Sequence, residues 1–280
     1  MLMEPATLQS APIGIIDSGI GGLTVAKSIQ EGLPGESFIF FGDTAHVPFG
    51  DKSSHSIKKY TARIMNFLIY DRQCKCIVVA CNTASAIASG YLNEINRKQG
   101  APPVINVIDP VVNYIANNKL QLGRIGVIGT KRTIASRAYP NRIKKLLPQA
   151  KVVSRSTPLL APMIEEGFFN NNISQTIINA YLSWHGFKYL DALILGCTHY
   201  PYIKPEVERY FKGDVFVVEG GKIVADQLKN TLREADLLNE NSEKSGENEF
   251  LVSDFTHSFQ KTTEIFFGKE VKLKEYPIWK

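Results

Sequence analysis

Cysteine is scarce in this chain, with four residues among 280. That is too few for the disulfide framework that holds small secreted domains together. Long apolar runs are missing as well. No stretch approaches the roughly 20 residues that span a bilayer, so no membrane partner is expected. Met1–Ala11 has neither a basic start nor an apolar core, and no signal peptide is expected there. A basic stripe is also lacking. The formal net charge is +5, but Lys58-Lys59, Lys131-Arg132 and Lys144-Lys145 are isolated pairs without interleaved aromatics, and no nucleic-acid partner is expected. These absences point to a reduced, cytoplasmic chain whose thiols stay free for chemistry.

Present instead is a regular alternation of short apolar runs and amphipathic stretches, in a chain long enough for one large domain or two ordinary ones. Ile13–Asp17, Ser37–Phe41, Cys76–Ala80, Val104–Val107, Arg124–Gly129, Lys151–Val153, Ala192–Leu195 and Asp214–Val218 read as strands. Ser53–Asp71 reads as a helix, with Ile57, Tyr60, Ile64, Phe67 and Leu68 at helical spacing. Several strands are apolar without alternation, as when helices cover both faces of a parallel sheet. The polar segment 239–249 reads as an exposed loop. Phe250–Ser253, Phe255–Phe267 and Val271–Tyr276 then read as strand, helix and strand.

Two segments are near-copies. Ile77-Val78-Val79-Ala80-Cys81-Asn82-Thr83 and Leu193-Ile194-Leu195-Gly196-Cys197-Thr198-His199 each end a buried strand on a thiol. Gly14-Ile15-Ile16-Asp17 and Gly126-Val127-Ile128-Gly129-Thr130 open equivalent units, and Asp17 precedes Cys81 by 64 residues as Thr130 precedes Cys197 by 67. The fold class is therefore α/β: two similar lobes with mainly parallel sheets, pseudo-twofold related, with an active site in the cleft between them. Residues 1–106 with 218–280 are expected to form the first lobe and 107–217 the second.

In open α/β sheets, ligands bind beyond the carboxyl ends of the strands, where Asp17, Cys81, Thr130 and Cys197 are expected to lie. Two thiols presented alike suit a pair of acid/base groups on opposite sides of one substrate. Each cysteine precedes an expected helix start, and a helix N-terminus or a cation such as His199 lowers a thiol pKa from its usual ~8.5. Cys74 and Cys76 read as buried filler. A zinc site from Cys74, Cys76, Cys81, Cys197 and His199 is disfavoured, because C-x-C on a continuous strand departs from the turn-borne pairs that wrap an ion. Asp17-Ser18-Gly19-Ile20-Gly21-Gly22-Leu23 invites a dinucleotide reading, with Asp43 where a ribose-binding acid would stand. However, the third glycine would fall at Thr24, and Asp17 would face a pyrophosphate. The loop better suits an amino acid, with Asp17 on the ammonium and Ser18 and backbone N–H groups on a carboxylate.

Asp17-Ser18-Gly19-Ile20-Gly21-Gly22-Leu23-Thr24-Val25, Pro48-Phe49-Gly50, Ala80-Cys81-Asn82-Thr83-Ala84 and Leu195-Gly196-Cys197-Thr198-His199-Tyr200-Pro201 resemble, in order, the glutamate racemase family of the cofactor-independent aspartate/glutamate racemase superfamily. The resemblance implies an isomerase that needs neither cofactor nor metal and supplies D-glutamate for peptidoglycan. It implies Cys81 as the base for D-glutamate and Cys197 for L-glutamate, assisted by Asp17 and His199. Substrate contacts would fall to Asp17, Ser18, Phe49, Gly50, Asn82, Thr83, Thr130, Thr133, Thr198 and His199, with Glu165 or Glu166 near the second thiol. A homodimer is a further implication, and an aspartate or hydantoin racemase the neighbouring reading. The sequence departs from the family at Phe49, where tyrosine is usual, and at Glu219-Gly220-Gly221.

Overall fold

The computed structural model describes residues 8–117, 123–240 and 247–280. Residues 1–7 of the amino-terminal reading and 241–246 of the expected loop lie outside them. The first unit runs β1 (Ile13–Asp17), α1 (Leu23–Gly32), β2 (Phe38–Gly42), α2 (Ser54–Asn66), β3 (Cys76–Val79), α3 (Asn82–Ile87), α4 (Ser89–Asn96) and β4 (Val104–Asn106). After α5 (Ile108–Asn117) come β5 (Arg124–Gly129), α6 (Lys131–Ala135), α7 (Ala138–Leu146), β6 (Lys151–Ser156), α8 (Leu160–Glu165), α9 (Asn172–Leu182), β7 (Ala192–Gly196), α10 (Lys204–Tyr210) and β8 (Phe216–Val218). Then α11 (Gly221–Glu234) leads back to β9 (Glu249–Val252), α12 (His257–Phe267) and β10 (Leu273–Glu275).

Two parallel sheets result, one ordered β10-β9-β2-β1-β3-β4 and the other β6-β5-β7-β8. The run β2-β1-β3-β4 is repeated as β6-β5-β7-β8, so β3 and β7, the two cysteine strands, are topological equivalents. The central strands are buried on both faces, which is why they read as unbroken apolar runs. Ile13, Ile15, Phe38 and Phe40 enter a cluster that continues through Leu193 and Leu195 of the second sheet. Ile16, Ile39 and Phe41 enter a second cluster, with Ile57 and Ile64 of α2. The first cluster reaches both sheets, so the lobes meet across a shared apolar interior. Among the described residues, no helix is long and apolar enough to cross a membrane.

The structure corrects several expected boundaries. The helix expected over 53–71 divides: Ser53 caps α2 by accepting the Ser56 N–H at 3.1 Å, and beyond Asn66 the chain widens into a π turn over Phe67–Asp71. The strand expected at Lys151–Val153 runs on to Ser156, because Val127, Ile128 and Gly129 offer ladder partners to Ser154, Arg155 and Ser156. Backbone pairing is indifferent to polar side chains on a half-exposed strand at the sheet edge. The helix expected from Phe255 starts at His257, since Thr256 is its cap. Glu249, read as loop, begins β9. The remaining strand ends shift by no more than two residues.

One buried ion pair ties the entry of β2 to that of β3. Lys75 Nζ lies 2.5 Å from Glu36 Oε2, with side chains 0% and 2% exposed. Burial pulls the Lys75 pKa down, and Glu36 pushes back. Glu36 also accepts the Asn239 N–H at 2.8 Å. Removing one buried partner strands the other, whereas replacing both with apolar groups does not. Lys75→Met alone is therefore expected to cost about 3–5 kcal/mol, and Lys75→Met with Glu36→Leu to recover most of it. Urea unfolding midpoints measure this, and a double variant no more stable than the single one contradicts it.

Candidate active site

Because β1 and β3 lie side by side, with Ile16 opposite Val79, Asp17 and Cys81 leave adjacent strands at the same end. Asp17 is buried, and its Oδ2 accepts the N–H groups of Gly19 at 3.1 Å and Gly22 at 3.0 Å. Burial raises its pKa, with His199 and the loop N–H groups pulling the other way. Its Oδ1 is buried with no hydrogen-bond partner among the described residues. An unpaired buried carboxylate oxygen is costly, so this atom calls for a cationic or protic ligand.

Cys81 caps α3: its sulfur accepts the Ala84 N–H at 3.4 Å and donates to Ser18 Oγ at 3.4 Å. The expected lowering of its pKa by a helix start is overturned. Burial pushes the thiol up to about 12, the Asp17 charge adds to the rise, and the contacts from Ser18 and Ala84 do not offset it. A six-residue helix offers one N–H to the sulfur, a small effect beside desolvation. Free Cys81 is a neutral thiol at pH 7.

Cys197 follows β7 and differs in its surroundings. No α-helix begins beside it. A 3₁₀ turn, Tyr200–Ile203, intervenes before α10, with Pro201 in its first turn. The adjacent cation expected from the sequence is present, however. His199 Nδ1 lies 3.5 Å from Cys197 Sγ and 3.4 Å from Thr198 Oγ1, and Nε2 lies 2.8 Å from Glu165 Oε1. Burial works to lower the His199 pKa, but the Cys197 sulfur and Glu165 outweigh it and hold the ring at about 10. An imidazolium there donates from both nitrogens, one toward the sulfur and one to the carboxylate. Of the two glutamates left open by the sequence, Glu165 is the one that reaches the site.

Further hydrogen bonds join the two lobes around these groups. Thr83 Oγ1 lies 2.9 Å from Thr130 Oγ1 and 3.2 Å from Thr133 Oγ1. Tyr139 OH donates to Asn82 Oδ1 at 2.7 Å, and Thr24 Oγ1 donates to Thr198 O at 2.9 Å. Phe49 is 1% exposed, and Gly50 lies so close that an added Cβ would sit 2.9 Å from Thr130 Cβ. A small cavity of about 20 Å³ beside Cys197 and Thr198, bounded by Asn82, Tyr139 and Gly221, has room for about one water.

The structure thus brings together Asp17, Ser18, Cys81, Asn82, Thr83, Phe49, Gly50, Thr130, Thr133, Cys197, Thr198 and His199. Cys74 and Cys76 lie at the opposite end of β3 from Cys81, packed among apolar side chains, where burial pushes both thiols up to about 12. Among the described residues, no group of three or more His, Cys, Asp or Glu is placed to hold an ion. Asp43 is not open to a ribose: its carboxylate accepts from Ser253, Trp279 and His46. In the sequence, neither Tyr139 nor Thr24 is given a role in the site. Thr24 stood out there only for not being glycine, and Tyr139 sits in an ordinary amphipathic pattern.

Comparison with known proteins agrees with this geometry. The family described as Asp/Glu/Hydantoin racemase matches residues 13–228. This chain belongs to that racemase family. A glutamate racemase of Chlorobaculum tepidum is 40% identical over 263 residues, 94% of either chain. That of Geobacter metallireducens is 41% identical over 256 residues, 91% of this chain and 92% of its own. The crystal structure of a Francisella tularensis glutamate racemase in complex with D-glutamate has a TM-score of 0.88 at 40% identity, over 97% of this chain and 99% of that one. The protein is accordingly an isomerase, an amino-acid racemase.

Gly21 is packed tightly against Thr198 and His199. A Cβ there would overlap the His199 ring and lie 2.7 Å from Thr198 Oγ1. A misplacement of about 1 Å costs roughly 10²-fold in rate. Gly21→Ala is expected to lower kcat/KM by about that factor with an unchanged circular dichroism spectrum, and a variant with parental kcat/KM contradicts it.

Proposed function

We propose that this racemase interconverts L- and D-glutamate without a cofactor, using Cys81 and Cys197 as bases on opposite faces of the α-carbon. The observation that carries the reading is the pair of buried thiols at equivalent strand ends, each with a different proton partner: Ser18 for Cys81, and His199 with Glu165 for Cys197. Glutamate is favoured over aspartate or a hydantoin by relatives of that name at 40% and 41% identity and by a structural neighbour that holds D-glutamate.

Asp17 Oδ1 takes the substrate ammonium, which answers its unpaired burial. Ser18, the Asn82 and Thr83 segment and Thr198 serve the carboxylates, while Phe49, Gly50, Thr130 and Thr133 close the wall. With L-glutamate, Cys197 as thiolate takes the α-proton and the C–H electron pair stays on the substrate. The retained ammonium and the backbone donors stabilise that carbanion in a dry site. The Cys81 thiol then gives its proton to the opposite face, releasing D-glutamate and leaving Cys81 as thiolate and Cys197 as thiol. The reverse turnover, or proton exchange with water, restores the starting form. In a cytoplasmic setting the product feeds peptidoglycan synthesis.

Enantiomers are equal in free energy, so kcat/KM is the same in both directions for the parent and for every variant. Asymmetry between the thiols can therefore appear in kcat and KM separately but not in their ratio. In D2O without added cofactor, either enantiomer of glutamate is expected to take up α-deuterium and lose optical rotation. Cys81→Ser and Cys197→Ser should each lower kcat/KM by about 10²–10⁴-fold. Absence of exchange from either enantiomer refutes the racemase assignment for glutamate, and a single variant at full rate refutes the two-base assignment. Faster turnover of aspartate would move the assignment to the neighbouring reading.

The pH profile of kcat/KM reports the free enzyme's acid and base. Deprotonation of His199 near pH 10 removes the cation beside Cys197, so the profile falls on its alkaline side. Glu165 is one of the groups that raise His199, and its loss lowers the ring's pKa. Glu165→Gln is therefore expected to move the alkaline limb toward neutrality. A limb at the parental pH would show that Glu165 does not tune the site.

A further inference from the structure

The segment Thr44–Asp51 brings Phe49 and Gly50 to the cleft, yet its regular backbone structure amounts to two 3₁₀ turns, Thr44–His46 and Phe49–Asp51. Its shape has to be imposed from outside. Asp43, fully buried at the end of β2, does part of this. Its N–H donates to Asp17 O at 3.0 Å, which joins it to the site. Its Oδ1 accepts from Ser253 Oγ at 2.8 Å, Trp279 Nε1 at 2.8 Å and His46 Nδ1 at 3.0 Å. Ser253 Oγ in turn accepts the Ala45 N–H at 2.9 Å. Three donors thus converge on one carboxylate oxygen, His46 from three residues along the chain and Ser253 and Trp279 from its carboxyl-terminal region.

Aromatic rings complete the cluster. Tyr60 of α2 stacks on His46 at 3.9 Å and 15°. Trp279 meets both edge-on, at 4.7 Å from His46 and 5.3 Å from Tyr60. Tyr60 also reaches Phe49 at 5.8 Å. Contacts therefore run unbroken from Trp279, through His46 and Tyr60, to a residue of the substrate wall.

We infer that Trp279 is a positioning residue for the racemase site: with Asp43, His46 and Tyr60 it clamps the segment Thr44–Asp51 so that Phe49 and Gly50 hold the glutamate wall. The inference rests on the proposed glutamate site. The clamp acts on binding and not on the thiols, because its contacts end at the wall and at the backbone of Asp17. Hydrogen bonds to charged groups are among the stronger ones in proteins, and the indole N–H supplies one to Asp43 that phenylalanine cannot.

Trp279→Phe keeps an aromatic ring and removes that donor. It is expected to raise KM for glutamate by about tenfold with kcat changed by less than about twofold, a split that a general loss of stability does not produce. In the unliganded protein, amide exchange across residues 44–51 should quicken by about tenfold, while residues 13–17 exchange at the parental rate. Ser253→Ala, which removes another donor to the same oxygen without touching the rings, should move both readouts the same way and covers the case in which the tryptophan variant folds poorly. Parental KM together with parental exchange over 44–51 in both variants overturns the clamp. Because the exchange readout uses no substrate, it judges the clamp even if the parent fails to racemise glutamate, an outcome that would count against the proposed site alone.

Discussion

Parallel strands end on the same side of their sheet, and in this protein the carboxyl ends of two such sheets supply one cleft. Nearly every polar group of the site hangs from one of those ends: Asp17 from β1, Cys81 from β3, Thr130 from β5 and Cys197 from β7. The repeated strand order makes Asp17 the counterpart of Thr130, and Cys81 the counterpart of Cys197. Two thiols at equivalent strand ends therefore follow from one topology used twice.

Burial acts on all of these groups, and the two lobes answer it differently. On the first side burial pushes the Cys81 pKa up, and the nearby carboxylate of Asp17 adds to the rise. On the second side an imidazolium, itself held by Glu165, stands next to Cys197. The proposed two-thiol chemistry, which takes a proton on one face and returns one on the other, needs one group charged and one neutral at each moment. The departures from the family's usual residues fall outside this arrangement. Phe49 contributes a buried ring without a hydroxyl, packed near Tyr60, and Glu219 is occupied locally, accepting the Gly221 N–H at 2.8 Å.

The ordering of function around the cleft also explains where long-range contacts accumulate. Thr83 meets Thr130 and Thr133, Tyr139 meets Asn82, and Thr24 meets Thr198, each across the seam between lobes. Asp43 gathers Ser253 and Trp279 from the far end of the chain against the loop that carries Phe49. These contacts tie together loops that have little structure of their own, at the one place where small displacements reach the reacting atoms.

Both cysteine strands, the Asp17 loop and the α/β class were legible from short apolar runs that stop at polar residues, because a strand buried on both faces has no other way to be written. The polar half of β6 was not legible, since its pairing is made by backbone groups that carry no side-chain signature. Nor was the state of the thiols. From the sequence, a helix start predicts an acidified Cys81, but desolvation and Asp17 push it the other way, and both depend on what packs around it. The choice of Glu165 over Glu166, the bond from Tyr139 to Asn82 and the reach of Trp279 to Asp43 join residues 34 to 236 positions apart. The elements, their repeat and the residue types at the strand ends can be read along the chain, because these are local patterns of apolar and polar side chains. Which of those residues are hydrogen-bonded and which merely stand near emerges on folding, because charge and hydrogen bonding depend on distances and burial that the order of residues does not contain.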